Sequence, residues 1–268
     1  MKLTDDHFQT FVEQGFVVVE DFYPEERRAQ IAEGIRQTLP PWEVIAADPP
    51  ERRLLRDDFP YADMLFNEFI LDWDLIEFVQ RVLDTEDIFF RYAHNWARYP
   101  DPGAEQPRLH IDNGNNSLLP PTSDRRYGQI STWYFPEAVD ENQAPMQIVP
   151  KPYGQDLSKR ILLTVPAGTI MIFNTHLWHS ATVFKGSEGQ RYSATRIYGR
   201  ADHYWEGVSS FTNRGMQDHF RAFIGRLSAR ERALFRFPPP GHEYYTQETL
   251  DRLEEQYPGW NARGEYDL

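Results

Sequence analysis

Cysteine is absent from the 268 residues. Without a thiolate there is no disulfide framework, no thiol nucleophile, no zinc finger and no iron–sulfur cluster, so any metal must be held by His, Asp or Glu. Positive charge is also short. The 28 basic residues, mostly arginine, stand against 41 acidic ones and leave a net charge of −13. Nucleic acid and anionic membranes both need basic surface, and neither is expected as a partner. Long apolar runs are missing too: the longest nearly apolar stretch, Ile161–Phe173, contains Pro166 and Gly168 and is too short to span a bilayer. The opening Met1-Lys2-Leu3-Thr4-Asp5-Asp6 lacks the basic-then-apolar pattern of a signal peptide. These absences predict a cytoplasmic protein, a single domain over residues 1–268, acting on a small molecule.

What the chain does have is aromatic side chains, 15% of its residues, and 20 prolines. That profile suits many short elements joined by Pro-containing turns, and does not suit a long helical bundle. Residues 1–87 read as mainly helical. Thr4 can cap a short helix with Phe8, Phe11 and Val12 on one face, stopped at Gly15, and Phe16–Glu20 is a β-branched strand. Pro24 opens a helix carrying Ile31, Ala32, Ile35 and Leu39 at helical spacing, and a second helical stretch is predicted over Tyr61–Leu83.

From Ile88 the period changes from 3.6 to 2. Ile88–Tyr99 sets Phe90, Tyr92, His94 and Trp96 on one face against Phe89, Arg91, Ala93 and Asn95. Further strands are predicted at Ile130–Phe135, Met146–Val149, Ile161–Val165, Thr169–Phe173 and Arg191–Tyr198. One connection, Asn113–Tyr127, is long enough to be functional. After Tyr198 helical spacing returns: Met216, Phe220, Phe223, Ile224 and Leu227 share a face, Ser228 to Glu231 has the form of a capping box, and a last helix lies near Thr246–Gln256. Helices, then closely spaced strands, then helices predict an all-β core with flanking helices. The expected core is a double-stranded β-helix, a cupin-like jelly roll over residues 88–200, buttressed by the helical parts 1–87 and 201–268.

His110-Ile111-Asp112 puts two metal ligands on one side of an extended chain, because residues i and i+2 point the same way. Such a pair supplies two members of a 2-His-1-carboxylate facial triad, which leaves positions open on Fe(II). With 8 His and 20 Asp in the chain, chance gives roughly 0.6 such pairs, so the motif alone is weak. The third ligand must come from a neighbouring strand, and His176 and His179 both follow Thr169–Phe173. A keto-acid co-substrate such as 2-oxoglutarate would need a cation for its far carboxylate, and the planar fork of arginine suits that task. Arg191 and Arg196 compete for it; five residues apart on a strand, they face opposite ways.

In these motifs the chain resembles the phytanoyl-CoA dioxygenase family of Fe(II)/2-oxoglutarate oxygenases, over most of its length from Phe11-Val12-Glu13-Gln14-Gly15-Phe16-Val17-Val18-Val19 to Tyr198. The family's HxD matches His110-Ile111-Asp112. Its ENGPMxxVPGSH segment resembles the run from Asn142 to Tyr153, with Asn142, Ala144 and Tyr153 in place of its Glu, Gly and final His. Its strand with the distal histidine resembles Gly168-Thr169-Ile170-Met171-Ile172-Phe173 followed by Trp178-His179-Ser180.

The resemblance implies a hydroxylase that holds Fe(II) through His110, Asp112 and His179, and that uses 2-oxoglutarate and O2 as co-substrates. Arg191 would grip the distal carboxylate, with Trp133 and Asn95 beside the co-substrate. Tyr92, His94, Trp96 and Arg98, with Asn113 and Tyr127 on the long connection, would meet the small-molecule substrate, and the aromatic region around Tyr204 and Trp205 is a further contact zone. Arg98, Arg125 and Arg126 could recognise an acidic group. No basic cluster offers a place for coenzyme A phosphates, so a free metabolite is expected. Desaturation, cyclisation or epimerisation at the same iron, and a non-catalytic jelly-roll binding protein, are the alternatives.

Overall fold

The computed structural model describes residues 3–112, 124–201, 218–235, 237–242, 245–260 and 263–266. The first helix, α1 (Asp5–Gln14), begins where the Thr4 hydroxyl accepts from the His7 backbone N–H and the Thr4 N–H donates to His7 Nδ1. Gly15 ends it with a φ of 78°, and a Cβ there would meet Leu177 at 2.9 Å, so this turn into β1 (Phe16–Val19) calls for glycine on both counts. After Pro24 come α2 (Glu25–Thr38), α3 (Trp42–Ile45) and β2 (Leu54–Asp58). The expected stretch Tyr61–Leu83 is two helices, α4 (Met64–Phe69) and α5 (Trp73–Leu83). Aspartate makes the break: Asp63 and Asp72 accept from the N–H groups of Leu65 and Leu75, so each starts its own helix.

The strands follow as β3 (Ile88–Arg98), β4 (Ile130–Phe135), β5 (Met146–Ile148), β6 (Ile161–Leu163), β7 (Thr169–Asn174), β8 (His179–Ala181) and β9 (Arg191–Arg200). Each strand predicted between Ile88 and Tyr198 is present, with ends that differ by one or two residues; β2 and β8 are additions. The C-terminal helices are α6 (Asp218–Arg226), α7 (Ala229–Ala233) and α8 (Gln247–Gln256), and the capping box at Ser228 and Glu231 is formed as predicted. Met216 lies outside the described residues, as do Tyr204 and Trp205.

All the strand pairs are antiparallel. The larger sheet has the order β1-β7-β4-β9-β3-β2 and the smaller one β6-β5-β8. From β4 to β9 the chain passes repeatedly between the two sheets, which is the jelly roll that the element order predicted. The larger apolar cluster lies between the large sheet and the helices and includes Ile31, Leu75, Val79, Tyr134, Ile172, Tyr198 and Phe223. A smaller one, with Phe135, Met146, Ile148, Met171 and Phe173, fills part of the space between the sheets. The central strands β7 and β9 are thus covered on both faces, and β7 reads as a nearly unbroken apolar run for that reason.

Strand β9 shows how the two faces divide. Arg196 points to the helices: its guanidinium lies 3.7 Å from the centre of the Phe69 ring, and its Nη1 donates to the Phe69 carbonyl at 2.7 Å. Arg191, Ser193, Thr195 and Ile197 take the other face. A fully buried cation held this way is structural, so Arg196→Ala is expected to cost roughly 3 kcal/mol of stability. Urea unfolding measures it; a loss below about 1 kcal/mol would contradict this role for Arg196.

Candidate functional site

A single-residue bridge organises the ligands. His110 N–H donates to the His179 carbonyl at 3.0 Å, and His179 N–H donates to the His110 carbonyl at 2.9 Å. One step further, Asp112 N–H donates to the Thr175 carbonyl at 3.1 Å. The HxD segment is therefore laid along the start of β8, and the i, i+2 rule brings His110 and Asp112 to the same side as His179. His110 Nε2 is 3.4 Å from Asp112 Oδ1, and His179 Nε2 is 3.6 Å from Asp112 Oδ2. The three ligand atoms lie within 4.8 Å of one another.

Both imidazoles are held from behind. His110 Nδ1 donates to the Arg108 carbonyl at 3.1 Å, and His179 Nδ1 donates to the Leu177 carbonyl at 2.8 Å. A carbonyl only accepts, so each bond puts a proton on Nδ1 and leaves Nε2 facing Asp112, as a donor to the carboxylate when the ring is charged and as a lone pair for a metal when it is neutral. Phe173 packs edge-on against the His179 ring. Burial by itself would raise the Asp112 carboxyl, but hydrogen bonds and charge from His110 and His179 hold it well below the usual carboxylate range. The Asp112 hydrogen bond raises His110, against the opposing effect of burial. Two nitrogens and a carboxylate on one side of an open cavity can hold a divalent metal and leave its other face free. Among the described residues this is the group of three ligands that the fold assembles.

The cavity measures about 320 Å³ and lies between the sheets beside the triad. Its floor is a grid of four strands. β3 contributes Tyr92, His94, Trp96 and Arg98, and β2 contributes Arg56 opposite Trp96, with Asp58 opposite His94 supporting it from outside the lining. β9 contributes Thr195 opposite His94, together with Ile197, and β4 contributes Ser131 and Trp133; Arg191, opposite Arg98, lies just beyond the lining. The grid is tied together by side chains. His94 Nδ1 is 2.6 Å from Asp58 Oδ1, Arg56 Nε is 2.7 Å from the same oxygen, and Trp96 Nε1 donates to Thr195 Oγ1 at 3.2 Å. The Arg56 guanidinium lies over the Trp96 ring at 5.5 Å. Burial lowers His94 to about 4, overriding the opposite pull of Asp58.

Arg191 sits at one end of the grid, 2% exposed. Its guanidinium is 5.6 Å from the Trp133 ring centre, and its Nη1 donates to the Ala144 carbonyl. Nε and Nη2 have no partner. Burial, and then the charge of Arg98, push its pKa well down. Ala144 adopts a positive φ of 53° where the resembling family has glycine.

The structure places the predicted residues unevenly. His110, Asp112, His179, Trp133, Tyr92, His94, Trp96 and Arg98 line one cavity, with Arg191 behind Trp133. Asn95 requires a correction. It is 1% exposed and alternates onto the helix side between Ala93 and Ala97, away from the cavity that His94 and Trp96 line. Phe90 is separated from Tyr92 by a β-bulge and faces the helices with Tyr198. His176 lines a second cavity of about 310 Å³ with Phe11, Arg125, Lys151 and Trp178. Arg126 is paired with Asp124 at 2.7 Å. Asn113 lies outside the described residues, and of Tyr127 only the backbone turn Arg125–Tyr127 is described. Sequence reasoning missed Arg56 and Asp58, although their i, i+2 spacing repeats the logic of His110 and Asp112. Among the described residues no helix is long and apolar enough to cross a membrane.

The sequence matches no protein-family model and no curated protein. Solved structures do resemble it. HygX from Streptomyces hygroscopicus, with nickel and 2-oxoglutarate bound, aligns at a TM-score of 0.57 and 17% identity, covering 75% of this chain and 89% of that one. The alpha ketoglutarate dependent carbocyclase SnoK from nogalamycin biosynthesis gives 0.58 and 14%, over 79% of this chain and 90% of its own. The epimerase SnoN, in complex with Fe3+, alpha ketoglutarate and nogalamycin RO, gives 0.57 and 11%, over 74% and 83%. At these identities the likeness establishes a shared fold.

Two outcomes test the geometry. His179→Ala is expected to abolish Ni(II) or Fe(II) retention, whereas His176→Ala leaves it near wild type; the reverse ranking in a metal-content assay would place the ligand three residues away. For His94, the folded ring takes up its proton only near pH 4 and the unfolded ring near 6.5, so the unfolded chain binds more protons between those values. Stability attributable to this residue therefore rises with pH across that window, by up to about 3 kcal/mol. His94→Gln should flatten that part of the profile in urea unfolding at pH 4.5 and 7, and an unchanged slope would refute it.

Proposed function

We propose that the chain is a non-haem Fe(II)- and 2-oxoglutarate-dependent dioxygenase of the phytanoyl-CoA dioxygenase type, hydroxylating a C–H bond of a small metabolite. The observation that carries the reading is the convergence of His110, Asp112 and His179 on a cavity lined by Trp133, with the buried Arg191 against that ring and two of its nitrogens unpartnered. The donor set fits the metal: two imidazole nitrogens and one carboxylate match a facial Fe(II) site. The arginine fits the co-substrate, since Nε and Nη2 lie along one edge of the guanidinium and match a carboxylate in bidentate fashion. Iron with 2-oxoglutarate and O2 supplies an oxidant able to take hydrogen from an unactivated C–H bond, with release of succinate and CO2.

The chain's own residues bind and orient. The Ala144 carbonyl fixes Arg191 and leaves its other edge for the far carboxylate of the co-substrate, and Trp133 and Phe135 pack around it. Tyr92, His94 and Trp96 offer ring faces to the substrate, while Arg56 and Asp58 hold two of these rings in place. His94, kept neutral by burial, can accept a hydrogen bond from a substrate hydroxyl or amine. The bound small molecules named for HygX and SnoN support a small-molecule substrate of this kind; HygX has been solved with hygromycin B.

A second reading keeps the site and changes the outcome to epimerisation, cyclisation or desaturation. It is supported by the fold shared with the epimerase SnoN and the carbocyclase SnoK. Succinate formation on addition of Fe(II) and 2-oxoglutarate, in a metabolite screen with product mass measured, separates these readings from a non-catalytic binding protein, which would release none. Arg191→Ala is expected to raise the apparent KM for 2-oxoglutarate about 30-fold or more, as a lost bidentate pair in a buried pocket costs about 2–5 kcal/mol. Metal content should stay unchanged. Normal co-substrate affinity in this variant would remove Arg191 from the site.

A further inference from the structure

Arg98 and Arg191 are directly opposed across the β3–β9 ladder, on the cavity face. Like charges placed opposite each other on paired strands destabilise a sheet, and burial enlarges the penalty. Here neither guanidinium is neutralised by the protein. Arg191 bonds the Ala144 carbonyl alone, and Arg98 makes no ion pair, although Asp101 is close enough to favour its charge. Three buried donors are left without partners: Nε and Nη2 of Arg191, and Nε of Arg98. Buried donors are almost always satisfied, and an arginine does not escape by losing its proton. Arg196 also leaves Nε and Nη2 without partners, but no second cation stands opposite it; where Arg98 and Arg191 oppose each other, unpaired donors and like charge together call for an anion.

The counting favours one anion over two. A carboxylate has two oxygens and about four lone-pair sites, enough for all three donors. Arg191 alone uses two of them in a bidentate pair, and the third donor reaches in from the neighbouring strand. Arg98 lines the cavity while Arg191 lies deeper, behind Trp133, so a carboxylate entering from the triad passes between them. We infer that Arg98 is the second cation of a two-arginine clamp for the distal carboxylate of the co-substrate. This rests on the dioxygenase reading above, and it takes Arg98 out of the substrate-recognition set where the sequence had placed it.

The clamp has two consequences, one for affinity and one for the empty protein. Arg98→Gln should weaken 2-oxoglutarate binding about 10-fold or more, the effect of losing one charge-assisted hydrogen bond and its charge. Arg98→Lys should recover part of it, because an ammonium keeps the charge without the planar fork. Without ligand, Arg98→Gln should melt at or above the wild-type temperature, since the opposed charges are gone.

The experiment titrates 2-oxoglutarate into anaerobic wild type, Arg98→Gln, Arg98→Lys and Arg191→Gln, each loaded with Ni(II), by tryptophan fluorescence, with thermal melts of the metal-free proteins alongside. Weakened binding in Arg98→Gln, partial recovery in Arg98→Lys, unchanged Ni(II) affinity and an undiminished melting temperature support the clamp. If Arg98→Gln binds within twofold of wild type while Arg191→Gln does not, the clamp is overturned and the dioxygenase reading stands, with Arg98 left to the substrate. If wild type itself binds no 2-oxoglutarate, both fall together.

Discussion

The whole site hangs on the reciprocal backbone hydrogen bonds between His110 and His179. The ligands come from two segments almost seventy residues apart in sequence, and neither His110 nor Asp112 belongs to a long strand. A pair of N–H···O=C bonds fixes the spacing of the two backbones, and the alternation of an extended chain then decides which side chains converge. The Leu177 and Arg108 carbonyls complete the arrangement by choosing the ring tautomer. The convergence of the three side chains is thus a by-product of β-pairing, supplemented by two carbonyls that the turn and the loop had to place somewhere.

Burial alone does not separate an arginine that braces the helices from one proposed to hold a co-substrate. Arg196 and Arg191 lie on the same strand and are equally inaccessible. Arg196 faces the Phe69 ring and the Phe69 carbonyl, and against the cost of burial the influence of Tyr23, Tyr198 and Asp72 supports its charge. Arg191 faces rings, one carbonyl and a second cation. Both leave Nε and Nη2 without partners, so the distinction lies in the neighbouring charge: one cation sits among groups that favour its charge, the other beside a group that opposes it. That difference arises from strand parity, since the five-residue separation sends the two side chains into opposite layers.

Parity also explains what could be read in advance. The grouping of His110, Asp112 and His179 was legible because it depends on the i, i+2 spacing of the HxD pair and on the motifs falling in order along the chain. The jelly roll was legible from the change of period at Ile88 and the return of helical spacing after Tyr198. Asn95 cannot share the cavity with its neighbours His94 and Trp96, because alternation forbids it, and the period-2 pattern of the strand already contains that answer. β2 was missed for a physical reason. Leu54-Leu55-Arg56-Asp57-Asp58 is a partly exposed edge strand with charged residues on both faces, so it carries no apolar signature. The split between α4 and α5 turned on the Asp72 cap, whose effect is local and competes with a helical pattern that runs straight through it.

The bulge in β3 between Phe90 and Tyr92 carries a consequence for how this wall tolerates insertions and deletions. On one side of it Phe90 faces the helices opposite Tyr198; on the other Tyr92 faces the cavity opposite Ile197. Arg91 is the surplus residue, buried with its guanidinium on the Gln129 side-chain oxygen. A strand is a two-letter reading frame, inside and outside, and an odd change of length normally inverts every letter beyond it. At Arg91 the frame has a spare character. Removing it would straighten the strand and leave Tyr92, His94, Trp96 and Arg98 in phase, whereas removing any residue from Ala93 to Ala97 would throw part of the wall out of frame with its neighbours. The bulge is thus the one seam within β3 where the chain's length can change while the text of the cavity stays the same.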